Sequence, residues 1–260
     1  MDLKNLPVWK DMQPITLDEM DSIRLMNRVD TKFLICEDLL PELLEKIKYD
    51  YRVQRVSGEQ VCRYNTLYYD TIDVEMYNNH HNEKLNRQKV RVRTYVESDI
   101  SFLEVKRKNN KGRTTKDRIR IPKDFVDDIS HNLEAVEFLS KNSTIPGTHI
   151  IPQLANTFDR ITLVNNDKTE RLTIDVHIHF ENLSTSIEKE VSNLVVVELK
   201  QDGQCSSLFK SLLTNYKVLP KSFSKYALGS AITNPKLKQN HFKNKLRFIN
   251  KLTENDDPMY

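Results

Sequence analysis

The stretch Arg171-Leu172-Thr173-Ile174-Asp175-Val176-His177-Ile178-His179-Phe180 decides the fold. Its even positions are all apolar, and its odd positions are all polar or charged. Successive side chains of a β-strand point to opposite faces of the sheet, so a period of two predicts a strand with one apolar and one ionisable face. We therefore predict a strand over residues 170–181.

The same alternation recurs in other stretches rich in Val, Ile, Thr, Tyr and Phe, which predict further strands. These cover residues 27–35, 51–56, 61–70, 86–97, 101–108, 115–121, 155–165 and 192–200. Short polar turns at 97–99 and 165–167 predict antiparallel hairpins. Arg and Lys dominate the polar faces, which carry Arg28, Asp30, Lys32, Lys89, Arg91, Arg93, Glu104, Lys106, Lys108, Lys116, Arg118, Arg120, Glu198 and Lys200.

Helices are predicted on either side of these strands. Thr16 and Glu19 form a capping box that begins a helix ending near residue 27. Apolar spacing predicts helices over 37–49, 132–141, 205–216 and 224–232. From residue 234 the chain is lysine-rich and then acidic, which fits a frayed tail or a helix. We expect an N-terminal extension (1–19), one domain (20–232) and a charged C-terminal tail (233–260).

Two arrangements fit the alternating strands. In an ordinary antiparallel sheet, the apolar face covers the core and the charged face meets water. Alternatively, about eight strands close on themselves, with charged faces inside and apolar faces outside under the helices. Burying so many like charges is costly unless they are compensated. A phosphate chain would compensate the bases, and a divalent cation would join the carboxylates to phosphate oxygens.

The composition excludes several other classes of protein. The net charge is only +3 and no aromatic–basic motif is present, which argues against a nucleic-acid binder. With five glycines the chain has neither GxGxxG nor a Walker A motif, so any phosphates are bound by side chains. Cys36, Cys62 and Cys205 lack zinc-site spacing and suggest reduced thiols. No apolar run reaches membrane-span length and no signal peptide is evident, so we expect a cytoplasmic protein.

Six segments, taken in order, resemble a known family. They are 28–33, 68–71, 77–95, 102–106, 197–200 and 224–226. Over residues 20–232 they are similar to the catalytic domain of the vacuolar transporter chaperone (VTC) complex. That domain is an ATP-dependent polyphosphate polymerase of the triphosphate tunnel metalloenzyme (CYTH-like) superfamily. The superfamily's ExExK signature is replaced here by Arg28-Val-Asp-Thr-Lys32, which favours the polymerase branch.

The resemblance implies an α+β fold, in which a closed antiparallel eight-stranded β-tunnel with a basic lumen is covered by peripheral helices. It implies Mn²⁺ or Mg²⁺ as cofactor, with ATP and inorganic polyphosphate as ligands. It makes Glu198 the metal ligand, and it makes Lys32, Arg91, Arg93, Lys106, Arg160 and Lys225 the phosphate-binding bases. Of these, Arg91, Arg93, Lys106 and Lys32 are the expected catalytic residues.

Strand parity adds further candidates to this set. Arg28, Lys89 and Lys200 join the phosphate-binding bases. Glu104 and Asp175 would bind metal or instead orient lysines. His177 and His179 share the charged face in this interpretation, with phosphate contact or solvation favoured over metal binding.

Two alternatives stay open for the function. The first is a hydrolase of tripolyphosphate or nucleoside triphosphates, which would use the same bases with water as acceptor. The second is a non-catalytic module that binds polyphosphate. The membrane spans and the inositol-phosphate-sensing domain of the eukaryotic complex are not found in this sequence, and the partners expected from the resemblance include a membrane protein.

Overall fold

The computed structural model describes residues 2–21, 23, 28–203 and 205–253. The strands are β1 (Pro14–Ile15), β2 (Arg28–Cys36), β3 (Tyr51–Gln54), β4 (Val61–Asp70), β5 (Arg87–Tyr95), β6 (Ile100–Lys108), β7 (Thr114–Ile121), β8 (Ile151–Asn165), β9 (Glu170–Asn182), β10 (Glu188–Val191) and β11 (Leu194–Asp202). The helices are α1 (Leu17–Asp21), α2 (Leu40–Ile47), α3 (Glu75–His81), α4 (Leu133–Asn142), α5 (Leu208–Asn215), α6 (Lys225–Thr233) and α7 (Lys243–Thr253).

The predicted strands are all present, and the alternating apolar residues explain why. The largest difference between a predicted and an observed strand boundary is at β8, which begins four residues before its predicted start. The predicted capping box also forms: the Thr16 backbone N–H donates to Glu19 Oε2 at 2.9 Å, and the Glu19 N–H donates to Thr16 Oγ1 at 3.2 Å. The predicted extension of α1 over residues 24–27 lies outside the described residues.

Eight strands form one continuous antiparallel path, in the order β2-β11-β9-β8-β4-β5-β6-β7. The sheet curls into a half-barrel, so the predicted closed tunnel is wrong in one respect: among the described residues, β2 pairs only with β11 and β7 only with β6. Both edge strands carry charged side chains on exposed positions, such as Arg28 and Arg118. Charged edges disfavour strand pairing, and closure would bring two rows of bases together.

The apolar positions predicted from the alternation are buried beneath helices. Leu172, Ile174 and Val176 of β9 are fully buried and belong to one apolar cluster with Leu40 and Leu44 of α2. A second cluster joins β4, β5 and β6 to α4, α6 and α7. The helices therefore cover apolar surface and leave the charged face of the sheet to form the site.

A β-bulge interrupts the alternation of β9. Val176 pairs with Asp159 and His179 with Thr157, so one extra residue enters β9 at this point. His177 itself has a left-handed φ of 49°. Beyond the bulge the two faces exchange, and Ile178 belongs to the cluster beneath α6 rather than to the cluster beneath α2.

Helix α6 lies directly on this second part of β9. A Cβ atom on Gly229 would clash with the Phe180 ring, so the helix can approach the strand this closely only with glycine. Ser224 caps α6 by accepting a hydrogen bond from the Ala227 N–H at 3.2 Å. This packing fixes the first helical residue, Lys225, over the charged face.

Candidate phosphate-binding site

The charged face of the sheet is concave. This is shown by charged side chains on distant strands, which influence one another's pKa across it. Lys106 on β6 has its pKa lowered by burial and then by Lys32 on β2, and Glu198 on β11 opposes this. In the order of the sheet, β6 and β2 lie near opposite edges. Only curling of the sheet brings them into range, and we call the enclosed space the lumen.

One group in the lumen is centred on Glu104. Arg91 Nε donates to Glu104 Oε2 at 2.7 Å, and Lys116 from β7 contacts Oε1. Glu104 is 1% exposed, and burial opposes its ionisation, but Arg91, Arg93 and Lys116 outweigh burial and hold its pKa well below the usual range. Glu104 is therefore a permanent anion that fixes two bases.

A second group is centred on Asp175. Arg160 binds it with two hydrogen bonds, Nε to Oδ1 at 2.6 Å and Nη2 to Oδ2 at 2.8 Å, and Lys225 also contacts Oδ2. Phe158 lies beneath these bases, with Lys225 Nζ 4.0 Å and Arg160 Cζ 5.1 Å from its ring centroid. Burial raises the pKa of Asp175, but Arg160 and Lys225 outweigh this and lower it overall.

Glu198 is held more loosely than the other two carboxylates. Its oxygens lie 3.6 Å from Lys32 Nζ and 3.3 Å from Lys200 Nζ. Lys32 Nζ donates instead to the Phe223 carbonyl at 3.0 Å. The side chain of Glu198 is 19% exposed, and its pKa is lowered because Lys200 and Lys32 outweigh burial. Glu198 is thus an ionised carboxylate that is partly accessible to solvent.

Three bases in the lumen have no carboxylate within ion-pair distance in the described part of the chain. Arg93 is 7% exposed and its buried Nε has no hydrogen-bond acceptor. Lys89 Nζ donates only to Ser224 Oγ, at 2.8 Å. Lys106 is exposed and lies on the same face of β6 as Glu104. The pKa of each of these three bases is lowered, and burial is the largest cause in each case. Such uncompensated bases favour the binding of an anion.

The structure places the remaining sequence candidates away from this centre. Arg28 is exposed at the start of β2 and pairs with Asp30, Nε to Oδ1 at 2.6 Å. The expectation that His177 shares the face of Asp175 is wrong, because the bulge turns His177 towards Asp159 (Nδ1 to Oδ2, 2.9 Å) and Glu37. His179 lies 3.2 Å from Glu188 of β10. Period-two reasoning cannot detect an inserted residue.

Several contributors to the site were not singled out from the sequence. Phe158 lies within residues 156–160, whose resemblance to an arginine-bearing strand of the family placed Arg160 among the candidates, and Ser224 lies within the segment 224–226 that contains Lys225. The signal was thus present in the motifs themselves. The carbonyl of Phe223 carries no signal in a sequence, because any residue has one.

A divalent metal fits this site only together with phosphates. Across the described residues, no three His, Cys, Asp or Glu side chains converge as an all-protein cage would require. Glu104 and Asp175 are engaged by Arg and Lys, which leaves Glu198. Mg²⁺ is commonly bound by one or two carboxylates, phosphate oxygens and water, which suits a single available carboxylate.

Comparison with solved structures supports the fold. The chain is similar to a candidate adenylate cyclase from Bacillus halodurans, with 15% identity over 77% of this chain and 98% of that one, and a TM-score of 0.51. Other similar structures are a candidate adenylate cyclase from Vibrio parahaemolyticus (10% identity, 78% and 97% covered, TM-score 0.45) and a candidate adenylyl cyclase from Hippeastrum with a dominant triphosphatase activity (12%, 81% and 97%, TM-score 0.46).

Together, the curled eight-stranded sheet and its covering helices define the class by its fold, which is that of the candidate adenylate cyclase from Bacillus halodurans. The sequence model of the VTC domain matches residues 27–234, which is most of the chain. The chain therefore belongs to the VTC domain family. No curated protein matches it. Within the described residues, no helix combines the length and apolarity that crossing a membrane would need.

Proposed function

We propose that this protein is a metal-dependent polyphosphate polymerase that transfers phosphoryl groups from ATP onto a growing phosphate chain in the lumen. The observation that carries the proposal is the excess of buried bases around three ionised carboxylates. Phosphoryl transfer needs positioning and charge neutralisation more than covalent chemistry by the protein. A lumen of fixed bases supplies both.

The proposal assigns each group of residues a role. Arg91, Arg93 and Lys106 hold the phosphates of the nucleotide, and Arg91 is held in position by Glu104. A second set, Lys32, Arg160 and Lys225, holds the acceptor phosphate or the product chain. In this assignment Glu104 and Asp175 orient bases rather than bind metal, which was the second of the two roles expected for them.

Glu198 would hold Mn²⁺ or Mg²⁺ together with phosphate oxygens. Such an ion neutralises phosphate charge and polarises the transferred group. The acceptor is itself an ionised phosphate, so no strong general base is required of the chain. Lys200, 3.3 Å from Glu198, would keep that carboxylate ionised and oriented.

A hydrolase remains the second candidate, because the gap between β2 and β7 leaves the lumen open to water at its edge. Water arriving there would compete with a phosphate acceptor. The two activities use the same bases and differ in their products.

The test is incubation of the purified protein with ATP and Mn²⁺, followed by electrophoresis with a polyphosphate stain. We expect long chains from the wild type and a loss of roughly a hundredfold or more in rate for Arg91→Ala. If the products were free phosphate without chains, the protein would be assigned as a hydrolase rather than a polymerase. Binding of added polyphosphate without any turnover would leave a non-catalytic binding module.

A further inference from the structure

Four aromatic side chains form a row on the lumen face of the sheet, at the end where β5 ends and β6 begins. The ring centroids of Tyr95 on β5 and Phe102 on β6 lie 5.9 Å apart, and Tyr64 on β4 lies 4.9 Å from Tyr95. Phe158 on β8 continues the row, 5.3 Å from Tyr64. The register pairs Tyr64 with both Tyr95 and Phe158, so these rings share one face of the sheet. We call the four rings the aromatic row.

The aromatic row continues the line of bases in the lumen. Alternation along β5 puts Tyr95 on the face of Arg91 and Arg93, and alternation along β6 puts Phe102 on the face of Glu104. Arg93 pairs directly with Phe102 across the two strands. Since successive residues of a strand rise by about 3.4 Å, Tyr95 lies roughly 7 Å beyond Arg93 and roughly 14 Å beyond Arg91. A ligand whose phosphates contact Arg91 and Arg93 therefore has its next group at the aromatic row.

The surface of the row is open to a further planar group. Tyr64, Tyr95 and Phe102 are each only half-buried, whereas Phe158 is fully buried. Arg118 of the edge strand β7 is exposed, and its guanidinium lies over the Phe102 ring, with Cζ 4.6 Å from the centroid. Among the described residues, Arg118 makes neither a hydrogen bond nor an ion pair. A planar cation thus stacks on the row and has no polar contact to lose when a ligand binds beside it.

The opposite end of the line of bases is occupied by the chain itself. There Lys89 Nζ donates to Ser224 Oγ at 2.8 Å, and Lys32 Nζ donates to the Phe223 carbonyl at 3.0 Å. The segment that leads into α6 therefore lies across that end. A nucleoside is attached to one end of its triphosphate, and the aromatic row is at the other end of the bases, where the rings are partly exposed.

We propose that the aromatic row binds the nucleobase of the nucleotide donor, with Tyr95 and Phe102 as stacking surfaces and Arg118 over the base. The α-phosphate then lies at Arg93, and the γ-phosphate points toward Lys106. Stacking uses the faces of a base rather than its hydrogen-bonding edges, so the row accepts any base and selects little among nucleoside triphosphates. This inference rests on the proposed function, because it concerns the donor of that same site.

The experiment compares equilibrium binding of ATP and tripolyphosphate by calorimetry in EDTA, which suppresses metal-dependent turnover. Both ligands present three linked phosphates, and ATP adds the nucleoside. The test variants are Tyr95→Leu and Phe102→Leu, made separately, which keep an apolar side chain and remove the ring. Tyr49→Leu is the matched control, because Tyr49 is 73% exposed in the turn after α2. Melting curves verify that the variants fold.

In each test variant we expect the affinity for ATP to fall roughly tenfold relative to that for tripolyphosphate, because stacking of the base on a ring is lost. The ratio of the two affinities should not change in Tyr49→Leu. Arg118→Gln, at an exposed position where misfolding is not expected, should lower the same ratio by a smaller factor. The comparison of ratios removes the difference in charge between the two ligands.

An unchanged ratio in the test variants would overturn the nucleobase site and leave the polymerase proposal intact. Equal weakening of both ligands would mean that the rings only support Arg93 and its strand, and it would overturn the site as well. A wild type that binds neither ligand would instead remove the proposed function.

Discussion

Lys225 is a residue of the lumen whose charge changes with pH near neutrality, because its pKa is lowered. Burial lowers its pKa to about 7, Arg160 acts in the same direction, and Asp175 opposes both. A phosphate anion binds more strongly to the protonated amine, so binding of the anion takes up a proton wherever the free lysine is neutral. Affinity for phosphate is then full below pH 7 and decreases as the pH rises through 7.

We predict that Lys225→Arg weakens this pH dependence, because a guanidinium stays charged throughout the range. The measurement is the affinity for tripolyphosphate between about pH 6 and 9 in the wild type and in the variant. Ionisation of the ligand itself affects both proteins equally, so the difference between the two curves isolates Lys225. Superimposable curves would contradict the assignment of Lys225 to phosphate binding.

Glu198 provides a second prediction at the scale of one side chain. Glu198→Gln removes the carboxylate next to Lys32 and Lys200, so polyphosphate binding without metal should strengthen. Turnover that depends on Mn²⁺ should fall by roughly a hundredfold or more, as expected when a group that stabilises developing charge is lost. Calorimetry and a product assay measure the two effects.

The exposed Glu181→Gln on β9 is the matched control for this substitution and should leave both quantities unchanged. If Glu198→Gln retained full metal-dependent turnover, the carboxylate would have to be assigned a purely electrostatic role toward its lysines.

Among the elements, α7 shows how a charged segment can be part of the core. Leu246 is fully buried, in one cluster with Leu34 of β2 and Val196 of β11. Lys245, half-buried on the same helix, donates to Ser222 Oγ at 2.8 Å and so ties the helix to the segment that carries Ser224 and Lys225. The helix therefore supports the wall of the lumen.

Leu246→Ala should lower the free energy of unfolding by about 2–5 kcal/mol, because it leaves a cavity in this cluster. Denaturant unfolding measures the loss. The exposed Lys243→Ala on the same helix should change stability by about 0.5 kcal/mol or less. Similar stabilities for Leu246→Ala and the wild type would mean that α7 contributes nothing to the fold.

The strands were predictable because their period of two is carried by the residues themselves. For the residues after 234, a frayed tail and a helix were both left open as predictions. The structure contains the helix. Phe242, Leu246 and Ile249 recur there at helical spacing, so the signal for this helix was present in the sequence among the lysines. Helix α3 and strand β10 were not predicted at all, since each is short and mainly polar.

The types of residue in the site could be predicted from the sequence, but the alignment of neighbouring strands, which decides which side chains meet, could not. The lumen bases, from Lys32 to Lys225, follow from parity and from the family motifs. The partners of Glu104 and Asp175 depend on which strands lie side by side and in which alignment. The bulge at His177 lies outside any periodic rule, and it moved both histidines away from the predicted face.

At the scale of the whole molecule, charge distribution matters more than net charge. The total is only +3, yet bases are concentrated on one concave face between β2 and β7, the two strands that each pair on one side only in the described part of the chain. Like charges held together in this way repel one another and oppose folding. An anion in the lumen removes that repulsion, so ligand binding and stability should be linked.

Tripolyphosphate should therefore raise Tm without any metal. At about 100 times its Kd, a ligand that binds only the folded state adds about 2.7 kcal/mol, which for a chain of this size is a rise of roughly 5–10 °C. Orthophosphate engages fewer bases at once and should give a smaller shift. Because the effect is electrostatic, it should shrink in about 1 M NaCl, where the Debye length is about 3 Å. Thermal melts at both salt concentrations measure it, and a shift that persists undiminished in high salt would contradict binding by the lumen's bases.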